Sequence, residues 1–164
     1  MEYRNLGRTG LKVSRICLGT MTLGNPETSP PILRKALDLG INFFDTANVY
    51  LGGRSEEILG EVVKEYRDDV VISTKVFFET AEKPLSRGLN RHHVSIELDK
   101  SLKRLQTSYV DVYLAHRFDP SVSMENILRT MNHGIQQGKV HHIGASTMFA
   151  WEFAKSLWVA DRLG

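Results

Sequence analysis

Two hydrophobic periods alternate along this chain. Short apolar runs recur, and between them apolar residues fall three and four positions apart. The first pattern is that of a buried strand, the second that of a helix with one apolar face. Arg15 to Thr20 is a short apolar run closed by glycine and reads as a first strand. Ile32, Leu33, Ala36 and Leu37 recur at helical spacing, and Gly40 stops that helix. Asn42 to Asp45 reads as the second strand. Ile58, Leu59, Val62, Val63 and Tyr66 mark the next helix, with Ser55 as its expected N-cap and Glu56 and Glu57 favouring its positive end. Val70 to Val76 reads as the third strand. Asn90 is expected to cap a helix with the face Val94, Leu98, Leu102 and Leu105. Tyr109 to His116 reads as the fourth strand. Ser123 is expected to cap a helix carrying Ile127, Leu128 and Met131 that ends near Gly138. Val140 to Ser146 reads as the fifth strand and Phe149 to Leu163 as the last helix. Ahead of these, Tyr3 to Val13 has the pattern of a small hairpin turning at Arg8-Thr9-Gly10.

Strand–helix units of about 30–40 residues predict a parallel sheet with crossover helices. An open doubly wound sheet is complete with five strands, whereas a (β/α)8 barrel takes three more units and about 250 residues. No Gly-x-Gly-x-x-Gly turn follows the first strand, so a Rossmann dinucleotide site has no support. Asp45, Lys75, His116 and Ser146 each sit at the carboxyl end of a different strand. Open sheets usually bind ligands at one switch point, whereas barrels build sites from several strand ends. The polar residues therefore favour the barrel. The longest irregular stretch, Phe77 to Leu89, has the length of a functional loop.

Composition adds limits. With 164 residues, 41% hydrophobic and 24% charged, the chain reads as one globular domain over 1–164. A formal charge of +2 and scattered Lys and Arg argue against nucleic-acid binding. No stretch has the length and apolarity for membrane insertion, and Met1-Glu2-Tyr3-Arg4 lacks the apolar core of a signal peptide. The lone Cys17, in an apolar run, is expected to be a buried small residue in a reducing compartment. A cytoplasmic protein is the expectation. The pairs His92-His93 and His141-His142 have diverging side chains and are expected to be solvated, so no metal is assigned. Trp151 and Trp158, seven apart on one helix face, are expected to pack.

The chemistry is concentrated in Asp45, Tyr50, Lys75 and His116. Alone, each has an ordinary reading: a turn aspartate, a surface tyrosine, a solvated lysine, a structural histidine. Together they suit carbonyl reduction. Hydride arriving at carbon leaves negative charge on oxygen, which takes a proton donor and electrostatic help. Tyr50 can donate, Lys75 favours the phenolate that results, Asp45 holds Lys75 charged and placed, and His116 supplies a second donor.

The same residues carry a resemblance. Phe44-Asp45-Thr46-Ala47-Asn48-Val49-Tyr50, followed by Gly52-Gly53-Arg54-Ser55-Glu56-Glu57, resembles the aldo-keto reductase signature around its aspartate and tyrosine. Ile72-Ser73-Thr74-Lys75 resembles the lysine strand of that family, Tyr109 through His116 its histidine strand, and Ile143-Gly144-Ala145-Ser146 its fifth strand. Leu6 to Ser14 is similar to its N-terminal hairpin. Arg87-Gly88-Leu89, Arg117-Phe118-Asp119-Pro120 and Met131-Asn132-His133 resemble the branch that holds the potassium-channel β subunits and related reductases. Those subunits tend to carry asparagine at the position of His116, so the histidine favours a reductase.

The resemblance implies a (β/α)8 barrel of the TIM type, of which this chain is the N-terminal portion with about five βα units. It implies an oxidoreductase that reduces aldehydes or ketones with NADPH, with Tyr50 as acid, Asp45 and Lys75 as its activating pair and His116 as orienting donor. It places Gly19, Thr20, Met21 and Asp45 beside the nicotinamide and Ser146 on its carboxamide. The family often has asparagine next, where this chain has Thr147. Gly134 stands where a larger apolar residue is common and predicts a packing gap. The implied partners are a small carbonyl substrate and an oligomeric copy or the other half of the barrel. The alternatives are a non-catalytic, nucleotide-sensing accessory protein and a half-barrel remnant.

Overall fold

The structure, a computed structural model, describes residues 1–164. β1 (Tyr3–Asn5) and β2 (Lys12–Ser14) form the expected antiparallel hairpin. Then follow β3 (Leu18–Gly19), α1 (Ser29–Asp38), β4 (Phe43–Asp45), α2 (Arg54–Val63) and β5 (Val71–Val76). α3 (Arg91–Arg104), β6 (Val110–Ala115), α4 (Met124–Gln136), β7 (Val140–Ala145) and α5 (Ala150–Leu163) complete the chain. Strands β3 to β7 are parallel and lie side by side in chain order. A doubly wound sheet reverses its strand order at a switch point. This sheet has no reversal, which is the ordering of a barrel wall. The chain is thus five consecutive units of a (β/α)8 fold.

The two faces of the sheet differ because side chains alternate along a strand. Phe44, Ile72, Val76, Tyr113 and Ala115 face the helices and join Leu33, Ile58, Leu59, Leu98, Leu102 and Ile127 in the main core. On the other face Val71 and Val112 pack with Val13, and the half-buried Leu6, Leu11, Phe43 and Leu114 lie against them. The hairpin therefore covers the amino-terminal end of that face. Its carboxyl end is left to Asp45, Ser73, Lys75 and His116. A buried ion pair ties the helices behind. Glu56, fully buried, accepts from Thr74 Oγ1 at 2.5 Å and from Arg104 Nε at 2.6 Å.

Two expected caps are present: Asn90 accepts from the His93 amide at 2.9 Å and Ser123 from the Asn126 amide at 3.3 Å. Ser55 is not a cap. α2 starts at Arg54, after a 3-10 turn over Tyr50–Gly53 in which Leu51, Gly52 and Gly53 take positive φ. The Ser55 hydroxyl is turned inward, 2.8 Å from the Thr20 carbonyl, 2.7 Å from Thr20 Oγ1 and 3.1 Å from Thr46 Oγ1. Gly52 and Gly53 allow the turn to run directly into the helix, which moves its start ahead of Ser55.

Four packing expectations are corrected. Cys17 is exposed, because β3 is only two residues long and the thiol precedes it. Partial desolvation and then the Asp45 charge still push its pKa up to about 12, so it is no thiolate. Gly134 leaves no gap: a Cβ there would lie 3.0 Å from Val140 Cγ2 and 3.3 Å from Leu98 Cδ2. Trp151 and Trp158 are exposed, as are Phe149, Phe153 and Leu157, so α5 presents an apolar face outward. His93 is buried, with Nε2 lacking a partner.

Candidate active site

Each site residue owes its place to a strand end. Register pairs Gly19 with Asp45 and Asp45 with Ser73, while Lys75 faces Leu114 and Ala115 faces Ala145. Asp45 closes β4, His116 follows β6 and Ser146 follows β7. Tyr50 opens the 3-10 turn, where the chain doubles back toward β5. Its amide bonds the Ala47 carbonyl at 3.1 Å, and the Asn48 amide bonds the Lys75 carbonyl at 3.2 Å.

The four predicted residues come together. Lys75 Nζ donates to Asp45 Oδ2 at 2.5 Å, to the Thr46 carbonyl at 2.8 Å and to the Tyr50 hydroxyl at 3.4 Å. The second Asp45 oxygen accepts from Ser73 Oγ at 2.5 Å. Lys75 is buried, so its charge rests on these oxygens. The His116 ring meets the Tyr50 ring edge-on, with centroids 5.8 Å apart, and the Phe78 ring at 4.9 Å. His116 Nδ1 is buried without a protein partner. Burial first, then the charges of Lys75 and Arg117, lower the His116 pKa to about 4 against the opposing pull of Asp45. The imidazole is therefore neutral at neutral pH and offers an N–H without a charge.

The residues expected beside a nicotinamide differ among themselves. Gly19 and Met21 are exposed, and a Cβ at Gly19 would meet nothing within 4 Å, so a flat ring has room to approach. Thr20 is fully buried, and its hydroxyl is taken up by the Asp45 carbonyl at 3.1 Å and by Ser55. It supports the ledge rather than lining it. Ser146 is half-buried, its hydroxyl 3.0 Å from that of Thr147. These groups suit the nicotinamide end of a dinucleotide.

Ser73, Phe78 and the Thr46 carbonyl were not among the predicted residues. Ser73 was readable, because it precedes Lys75 by two on a strand and so shares its face. Phe78 was not, because a loop has no period to place it. His93 was expected in water. It lies instead beneath the 77–89 loop, where burial first lowers its pKa while Glu97 opposes. A cavity of about 580 Å³ lies between that loop and α3, lined by Thr80, Lys83, His93, Glu97 and Lys100. It is separate from the tetrad, none of whose residues line it.

A parallel barrel wall with carboxylate, ammonium, phenol and imidazole gathered at its carboxyl rim defines a (β/α)8 protein with a rim site. Residues 15–161 match the aldo/keto reductase family, and the chain belongs to that family. It is 45% identical over 99% of its length to a putative voltage-gated potassium channel subunit beta of Schizosaccharomyces pombe, covering 50% of that protein. It is 42% identical over 99% of its length to a probable voltage-gated potassium channel subunit beta of Arabidopsis thaliana, covering 52% of it. It is 39% identical over its whole length to versiconal hemiacetal acetate reductase of Aspergillus parasiticus, covering 56% of that enzyme. Its fold superposes on the thermostable aldo-keto reductase Tm1743, solved with the inhibitor epalrestat, with a TM-score of 0.87 and 33% identity. That match covers 97% of this chain and 58% of the other. The chain spans about half the length of the curated relatives it matches.

Proposed function

We propose that this chain carries the proton-delivery apparatus of an NADPH-dependent reductase of aldehydes and ketones, within a single partial barrel domain over 1–164. The observation that carries this reading is the Lys75 ammonium, held by Asp45 at 2.5 Å and lying 3.4 Å from the Tyr50 hydroxyl. When bound, NADPH supplies the hydride to the carbonyl carbon. Tyr50 gives its proton to the carbonyl oxygen as charge develops there. Lys75 stabilises the phenolate left behind, and Asp45 keeps Lys75 charged in a buried place. Neutral His116 donates a hydrogen bond to the same oxygen and orients it, while Phe78 closes the side of the imidazole. Gly19, Met21 and Ser146 would hold the nicotinamide, Ser146 through its hydroxyl.

The test is NADPH consumption by the intact protein with a panel of aldehydes. Tyr50→Phe keeps the ring and removes the proton, and is expected to lower turnover at least about a hundredfold. Equal turnover by the variant would remove Tyr50 from the acid role.

A second reading rests on the relatives described as channel β subunits, which are 45% and 42% identical to this chain. In that reading the site binds nucleotide without turning over. NADPH fluorescence titration beside the assay separates the two, since tight binding with no consumption of any aldehyde favours the accessory role.

A further inference from the structure

Glu97 lies on α3, touches none of the four rim residues, and is 2% exposed. Its Oε2 accepts from Asn48 Nδ2 at 2.9 Å. Its Oε1 accepts from Thr80 Oγ1 at 3.1 Å and from Lys100 Nζ at 2.8 Å. Asn48 stands two residues before Tyr50, and Thr80 two residues after Phe78. One carboxylate thus holds both loops that flank the acid and the imidazole. Asn48 is buried, and Glu97 is the one hydrogen-bond partner of its side chain, since its Oδ1 has none. A buried carboxylate is costly, and an apolar side chain would fill the same space more cheaply. Its three donors give it a geometric task.

We infer that Glu97 is a positioning residue: through Asn48 and Thr80 it fixes the loops carrying Tyr50 and Phe78 against Lys75 and His116. The catalytic consequence rests on the reductase reading; the structural one does not. Glu97 is ionised for this task. Burial pushes its pKa up, but hydrogen bonds from Lys100, Asn48 and Thr80 outweigh that and hold it below the usual carboxylate range. A carboxylate gives Asn48 and Thr80 strong acceptors at once. An amide at position 97 would replace that charged acceptor by a neutral one, and Asn48 would keep a bond only by turning its amide over so that Oδ1 accepts.

Hydrogen–deuterium exchange on the folded chain tests this. Asn48→Asp places two carboxylates in contact, and Glu97→Met keeps the length of the side chain but removes the acceptor from both loops. Each is expected to speed exchange of segments 46–53 and 78–82 by about tenfold, with strand β6 unchanged. The double variant Asn48→Asp with Glu97→Gln reverses the polarity of the pair. The amide introduced at position 97 then donates to the carboxylate introduced at position 48, while its oxygen still serves Thr80 and Lys100. Exchange is expected to return toward that of the native protein. Should Glu97→Met fail to fold, Asn48→Ala removes the same bond from the loop side and is expected to loosen 46–53. Unchanged loops in every single variant, no rescue in the double variant, or equal loosening of β6 would each overturn the proposal. Where the native protein turns over, Glu97→Met is expected to lower kcat by about tenfold or more with KM little changed. Absence of turnover in the native protein counts against the reductase reading alone, because the exchange result decides the loop anchoring by itself.

Discussion

Lys75 Nζ lies 2.5 Å from Asp45 Oδ2, yet the lysine side chain is 6% exposed and the aspartate side chain 29%. The two members of this pair are not equally replaceable. Asp45→Ala strands a buried ammonium with only the Thr46 carbonyl and the Tyr50 hydroxyl as acceptors, at a cost of about 3 kcal/mol. Lys75→Met leaves a carboxylate that water reaches and that Ser73 still serves, and fills the space, so it is expected to cost about 1 kcal/mol. Urea denaturation of the two variants checks the order, and the reverse order would refute the assignment of Lys75 as the buried partner.

Two helix glycines are expected to answer alanine differently. Alanine in a helix interior normally stabilises by about 1 kcal/mol. At Gly60 a Cβ would lie 2.5 Å from the backbone carbonyl of Leu105, which cannot swing aside. Gly60→Ala is expected to destabilise by about 2–3 kcal/mol by forcing α2 away from the end of α3. At Gly134 the neighbours are side-chain methyls of Val140 and Leu98, which yield by small rotations. Gly134→Ala is expected to be neutral within about 1 kcal/mol. Thermal midpoints of the two variants provide the comparison.

Stability is expected to fall with acid through His116. Its pKa is lowered from 6.5 to about 4 in the folded protein, so the unfolded chain takes up the proton first. The stability due to the neutral imidazole is fully present above pH 6.5 and is lost as pH falls toward 4, by at most about 3 kcal/mol. Lys75 and Arg117 facing the ring enlarge the effect, and Asp45 reduces it. His93, lowered by burial, adds in the same direction. His116→Gln is expected to flatten the profile between pH 6.5 and 4 without abolishing it. Unfolding free energies at successive pH values check this, and an unchanged slope would show that His116 is not the group responsible.

Thr147 has φ +50, a left-handed conformation that a β-branched residue adopts at a cost. Thr147→Asn is expected to stabilise by about 0.5–1 kcal/mol, since asparagine accepts that region more readily. Equal or lower thermal stability of the variant would mean that the hydroxyl contact with Ser146 outweighs the relief.

The alternation of apolar runs with helical spacing determined the five parallel units, because burial imposes a period of two on a strand and 3.6 on a helix whatever the neighbours. The same rule put Asp45, Lys75 and His116 at strand ends, and hence at one rim. Asn90 and Ser123 were legible as caps because capping is local chemistry. Ser55 was not, because what moved it was the turn at Gly52-Gly53 and the approach of Thr20 from another unit. His93, Gly134 and the two tryptophans depart from expectation because their packing depends on which distant segment lies against them, and Cys17 because its strand is shorter than the apolar run. Only the tertiary structure decided that Thr20 is consumed in supporting Ser55 and Asp45, that Phe78 closes on His116, and that Glu97 reaches Asn48 and Thr80. The contacts of Glu97 with Thr80 and Asn48 join residues 17 and 49 positions apart, and neither hydrophobic period carries any information across those distances.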